Sequence, residues 1–180
     1  NHQIPISLVA GSSMGAIIGA CYALGVPMER LEEELLVLKK KGARKFMDPG
    51  FKRGSFLKGK KIRRYLEDFF SGARFSDTRL PLAIVATDLA SGEAVVIRKG
   101  RIADAIMASI AVPGVFPPLE TGGRLLVDGG LSNPTPASVA WDMGAEAVIA
   151  VDFMLKQGKL SRAPGLPATL MQSYEIIRAH

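Results

Sequence analysis

The sequence predicts an α/β domain in which helices layer onto a largely parallel central sheet. Three observations carry that expectation. Short apolar runs at residues 6–10, 80–87 and 145–151 have the composition of strands buried on both faces. Helical patterns separate them, and alternation of strand and helix is the mark of a layered sheet. With 180 residues, 48% of them hydrophobic and 22% charged, the chain is long enough to bury one core and has the length of one domain.

Taken in order, residues 6–10 form a strand ended by Gly11, and 13–24 a helix ended by Gly25 with Pro27 close behind. The small residues Gly15, Ala16, Gly19, Ala20 and Ala23 fall at helical spacings and would let that helix lie close on the sheet. A helix at 27–41 has Pro27 at its start, Glu29, Glu32 and Glu33 early, Lys39 to Lys41 last and Gly42 after them, which matches the helix dipole. Residues 43–58 read as irregular. A helix at 59–70 carries Ile62, Tyr65, Leu66 and Phe69 on one face. Strands follow at 80–87 and 94–98, the second an antiparallel or edge neighbour across Ser91-Gly92. Next come a helix at 102–109, a proline-punctuated loop at 111–118, a short strand at 124–127 running into Asp128-Gly129-Gly130, a helix at 135–143 and a strand at 145–151. A mobile connection at 156–167 and a final helix at 167–180 complete the reading.

Residues 1–28 hold no Asp, Glu, Lys or Arg. A membrane helix needs about 20 consecutive apolar residues, and Pro5, Ser7, Ser12, Ser13 and four glycines interrupt this run. No basic segment precedes it, so it does not read as a signal peptide. The expected location is cytoplasmic, with peripheral contact to a membrane. No initiating Met opens the chain, which suits a piece of a longer protein. The net charge of +6 is concentrated: residues 39–64 hold twelve of the 23 basic side chains and one acid, Asp48. Such a field favours an anionic partner. A lipid surface is the better match than nucleic acid, since Phe46, Phe51 and Phe56 are interleaved without a nucleic-acid recognition motif. A solvated loop and helix face is the plainer alternative.

The chemistry available is narrow. One cysteine, Cys21, forms no internal disulfide, the two histidines, His2 and His180, stand at the ends, and no cluster has metal-ligand spacing. No metal or cofactor is expected. Gly11-Ser12-Ser13-Met14-Gly15 is a G-x-S-x-G between an apolar strand and a small-residue helix, the context that motif requires. Flanking glycines allow a tight turn that presents Ser13 at a helix N-terminus, where the dipole favours developing negative charge. The N–H of Met14 would face an oxyanion. A glycine-rich or phosphate-binding turn without chemistry is the alternative. A serine needs a base. The order Ser13, Asp128, His180 is that of an α/β-hydrolase triad, but only one strand precedes the elbow. Asp128 ends an apolar strand with two glycines beside it, placed either to face a site as a carboxylate base or to make a tight turn.

Four blocks occur in order: Gly11-Ser12-Ser13-Met14-Gly15-Ala16; Val85-Ala86-Thr87-Asp88-Leu89 with Ser91-Gly92-Glu93; Ala108-Ser109 through Pro113-Gly114-Val115-Phe116-Pro117-Pro118; and Leu126-Val127-Asp128-Gly129-Gly130-Leu131. Together, over about residues 6–155, they resemble the bacterial patatin-like phospholipase family. The resemblance implies a three-layer α/β/α sandwich and a lipid acyl hydrolase with a Ser–Asp dyad. Ser13 would be the nucleophile and Asp128 the base, with Gly11, Gly15, Gly129 and Gly130 as motif glycines. Two departures stand out. The family carries a glycine-rich oxyanion loop upstream of the elbow, so a domain spanning 1–180 is expected to lack it. The family also often has two asparagines after its Asp-Gly-Gly, where this chain has Asn133 followed by Pro134. The expected function is therefore an esterase, phospholipase A or lysophospholipase acting through an acyl-enzyme. The alternatives are an inactive lipid-sensing or protein-interaction module and a Ser13–Asp128–His180 esterase.

Overall fold

The computed structural model of the chain describes residues 4–41, 48–52 and 55–152. Strand β1 (Val9–Ser12) leads through one residue into α1 (Met14–Leu24), followed by α2 (Met28–Lys41), a two-stranded hairpin of β2 (Pro49–Lys52) and β3 (Ser55–Leu57), and α3 (Lys60–Phe70). Then come β4 (Leu82–Asp88), β5 (Ala94–Ile97), α4 (Ile102–Ser109), β6 (Leu119–Thr121), β7 (Arg124–Asp128) and α5 (Ala137–Asp142).

Among the described residues the main sheet has five strands and is organised around β4. β1 lies parallel to it, with Val9 opposite Leu82 and Ser12 opposite Val85. β5 and β7 lie antiparallel, β5 opposite residues 84–87 and β7 opposite 86–88. Because β5 overlaps both other partners in register, it takes one edge of β4 by itself. β1 and β7 share the other edge end to end, running toward each other. Their C-terminal residues meet there, Ser12 opposite Val85 and Asp128 opposite Ala86.

Alternate residues of a strand face opposite sides, and β4 is buried on both. Leu82 and Ile84 join a core with α1, α3 and α4, whereas Ala83 and Val85 pack against Val139 of α5. The α/β class holds, with helices on both faces. The sheet is more mixed than strand–helix alternation predicts, because short hairpins rather than helical crossovers connect β4 to β5 and β6 to β7. The close approach expected of α1 is present: a Cβ on Gly19 would stand 2.9 Å from Val9 Cγ1. Gly25, at φ 72°, ends that helix, and the N–H groups of Gly25 and Val26 return to the carbonyls of Tyr22 and Cys21.

Two expectations need correction, and one strand is added to them. Within the stretch at 43–58, residues 49–52 and 55–57 are antiparallel strands rather than irregular chain, while 43–47 and 53–54 lie outside the described residues; the N–H groups of Phe56 and Leu57 bond to the carbonyls of Gly114 and Val115, so β3 takes its second partner from the proline-rich loop. β6, too short to show a pattern in the sequence, pairs with β7 across Gly122-Gly123, both at positive φ, the two-residue turn that fits strand twist. Residues 145–151 are not a strand. Ile149 and Val151 are exposed, and no described strand pairs with this run. The expected connection at 156–167, the final helix at 167–180, His2 and His180 lie outside the described residues.

The basic helix α3 starts without a cap of its own, since Gly59 has no side chain to offer. Asp48 supplies one from a distance. Its Oδ1 accepts the N–H of Gly59 at 3.0 Å and its Oδ2 those of Lys60 and Lys61 at 2.6 and 3.2 Å. Desolvation pushes the Asp48 carboxyl up, but these backbone N–H bonds outweigh it and hold it below its ordinary value. A carboxyl depressed in the folded state contributes stability above its unfolded pKa and loses it as pH falls through the folded one. Asp48→Ala should therefore cost about 0.5–1 kcal/mol at neutral pH, the lower part of the capping range because the site is solvated. In denaturant titrations at a series of pH values, that difference should vanish at strongly acid pH.

Candidate active site

The strand junction on β4 holds the residues that the sequence singled out. Ser13 is the single residue between β1 and α1 and adopts φ 52°, ψ −119°. It is one of two non-glycine residues at positive φ among those described. That conformation costs on the order of 1–3 kcal/mol and persists only where its surroundings enforce it. The enforcement begins with Gly11: a Cβ there would come within 2.3 Å of the Gly15 carbonyl oxygen, so the turn closes tightly enough to exclude any side chain. Gly15 differs, facing open space.

Asp128 arrives from the opposite direction and is fully buried. The Ser13 hydroxyl donates to its Oδ2 at 2.8 Å, and the Gly130 N–H donates to its Oδ1 at 2.7 Å. The Asp128 backbone is fixed too. Its N–H donates to the Ala111 carbonyl at 3.1 Å, and its carbonyl accepts the Thr87 hydroxyl at 2.8 Å. Ser132 Oγ lies 2.8 Å from Thr87 Oγ1. Gly129 turns the chain away immediately beyond: a Cβ would stand 2.1 Å from the Val85 carbonyl oxygen and 2.6 Å from Ser12 Oγ. Of the motif glycines, Gly11 and Gly129 are thus required by packing, and Gly130 supplies a hydrogen bond to the carboxylate.

Met14 is the first residue of α1, so its N–H belongs to the helix turn whose donors lack intrahelical acceptors. Its side chain is half exposed. Ser12 packs inward, its buried hydroxyl without a hydrogen-bond partner among the described residues. Burial pushes the Cys21 thiol up to about 11, against a smaller opposing pull from Arg30. No group of three or more His, Cys, Asp or Glu side chains among the described residues could hold a metal ion.

Two polar residues at this site carried no role in the sequence reading, Thr87 and Ser109. Both are buried, and Ser109 accepts the Ser13 N–H at 2.8 Å while donating to the Val85 carbonyl at 2.6 Å. A local signal existed in each case, a hydroxyl in an otherwise apolar buried run, but the partners lie tens of residues away.

A family model described as patatin-like phospholipase matches residues 1–141. The chain belongs to the patatin-like phospholipase family. It is 35% identical over 145 residues to an uncharacterized NTE family protein of Mycobacterium tuberculosis, covering 81% of this chain and 40% of the relative. A second uncharacterized NTE family protein of that species is 30% identical over 153 residues, covering 83% of this chain and 26% of the relative. Mouse patatin-like phospholipase domain-containing protein 6 is 32% identical over 162 residues, covering 83% and 11%. The patatin-like chain thus spans two fifths or less of these relatives' lengths. No helix among the described residues is long and apolar enough to cross a membrane.

Proposed function

We propose that this patatin-like domain is a serine acyl hydrolase that cleaves lipid esters, of the phospholipase A or lysophospholipase type, with Ser13 and Asp128 as its catalytic dyad. The observation that carries the proposal is the 2.8 Å hydrogen bond from the Ser13 hydroxyl to a fully buried carboxylate, made by a serine held at positive φ ahead of a helix. Asp128 accepts the hydroxyl proton as Ser13 Oγ bonds to the acyl carbon. The carbonyl oxygen becomes an oxyanion, and the Met14 N–H and the positive end of α1 favour that charge. Collapse breaks the ester C–O bond, with the proton passing from Asp128 to the leaving alcohol. Water, deprotonated by Asp128, then attacks the acyl carbon; the acyl–Oγ bond breaks, the proton returns from Asp128 to Ser13 Oγ, and a fatty acid leaves.

The basic stretch at 39–64 suits contact with anionic lipid at a membrane surface. Lys58, Lys60, Lys61 and Arg64 are exposed. β3 hangs by Phe56 and Leu57 on the loop that follows α4, so this charge is joined to the chain leaving the site.

Turnover of a lysophospholipid tests the dyad. Ser13→Ala should abolish it, and Asp128→Asn should lower kcat by roughly 10²- to 10⁴-fold, the usual worth of a general base, with far-UV circular dichroism unchanged in both. Undiminished turnover in Ser13→Ala would contradict the assignment, and a folded wild type that binds lipid without turnover would favour a non-catalytic lipid-binding module. For the surface, changing Lys58, Lys60, Lys61 and Arg64 together to Glu should weaken sedimentation with phosphatidylserine vesicles by roughly 10²-fold or more, at about 1 kcal/mol per basic residue. Unchanged binding at low salt would count against it.

A further inference from the structure

We infer that Ser109 is a positioning residue for the nucleophile: its hydroxyl holds the Ser13 backbone in the conformation that aims Oγ at Asp128. The inference rests on the reading of Ser13 as nucleophile but concerns a residue that reading does not use. Ser109 ends α4 and is fully buried, in a helix whose other buried residues, from Ile102 to Ala108, are all apolar. A hydroxyl there is costly unless it is bonded. A serine in a helix commonly bonds back to the carbonyl four residues earlier. Ser109 instead donates across to the Val85 carbonyl of β4 at 2.6 Å.

That donation fixes the polarity of the group. A serine hydroxyl has one proton and two lone pairs. With the proton committed to Val85, the oxygen presents a lone pair, and it accepts the Ser13 N–H at 2.8 Å from 96 positions away in the chain. One buried oxygen therefore ties α4, the centre of β4 and the strained elbow together. Val85 is also the register partner of Ser12, so the elbow's own strand and its outside restraint are referred to the same residue of β4. Ser109 does not itself meet a substrate, being fully buried with its proton engaged. Its effect is on where Ser13 Oγ points. Without the hydroxyl, the Ser13 N–H and the Val85 carbonyl both lose a partner. The positive φ then loses a restraint, and the 2.8 Å contact with Asp128 is no longer enforced.

The test is Ser109→Ala in the full-length protein, read in two ways. The first is steady-state hydrolysis of a lysophospholipid. Turnover should fall on the order of 10²-fold, the scale of a misaimed reacting group, with KM within about twofold, because the binding surface is untouched. The second does not need activity: amide hydrogen exchange by NMR. The Ser13 N–H should exchange roughly tenfold faster or more, while amides of β4 and α1 keep their protection. Should the alanine variant fail to fold, Ser109→Cys keeps the volume and weakens the acceptor, and both readouts should then shift in the same direction. Unchanged exchange at Ser13, or unchanged kcat in a folded variant, would overturn the inference, and so would loss of protection spread evenly through the core. A wild type without turnover would defeat the hydrolase reading instead, and the exchange result would still decide the role of Ser109.

Discussion

Two strands that run toward each other on one edge of β4 determine the rest of this structure. β1 is parallel to β4 and β7 is antiparallel to it, so both end at the same place, opposite Val85 and Ala86. Neither can continue, because the other occupies the edge. Each chain must turn out of the sheet there, and the residues at the two turns, Ser13 and Asp128, are brought together although 115 positions separate them. The crowding at this junction explains the glycines. Gly11 and Gly129 stand where a Cβ would strike backbone at 2.3 and 2.1 Å. Small-residue packing continues outward into α1, whose Gly19 lets the helix settle on β1.

The junction is also where buried polar side chains concentrate: Ser12, Thr87, Ser109 and Asp128, with Ser55 of β3 the other among the described residues. Asp128 is fully buried, and a buried carboxylate is tolerable only with directed donors. Ser13 Oγ and the Gly130 N–H provide them on the two oxygens, while Thr87 and Ala111 hold the backbone on either side. The serine is restrained in the same manner, by Ser109 on its N–H and Asp128 on its hydroxyl. Hydroxyls that couple two elements in a low-dielectric interior are stronger restraints than they would be in water. Strain at Ser13 can therefore be sustained by a scaffold that loses hydrogen bonds if the elbow relaxes.

Much of this was legible in the sequence, for reasons that are local. The elbow is a strand, five residues of glycine and serine pattern, and a helix, all contiguous. Gly25 and Pro27 mark the end of α1, and of the apolar stripe read on α3 Ile62 and Leu66 are buried and Tyr65 and Phe69 partly buried, with Phe70 buried beside them. Asp128 at the end of an apolar strand was a candidate on the same grounds, though its partner was not given by spacing. What escaped was decided by tertiary contact. β3 and β6 have three residues each, too few for a period to register, and exist because Gly114–Val115 and β7 lie beside them. The opposite error, a strand at 145–151, came from composition that promised a ladder the described residues do not supply. Ser109 and Thr87 were quoted within family-like blocks, but their significance is a contact with Ser13 or Asp128 that no local pattern encodes.

In the proposed mechanism, the junction activates one serine among several by pairing it with one carboxylate. Fluorophosphonate labelling of the full-length protein, followed by peptide mapping of the modified residue, tests this most directly. A single adduct should form on Ser13, be absent from Ser13→Ala even though Ser12 is adjacent, and form more slowly in Asp128→Asn. An adduct on another residue, or none on a folded protein, would contradict it.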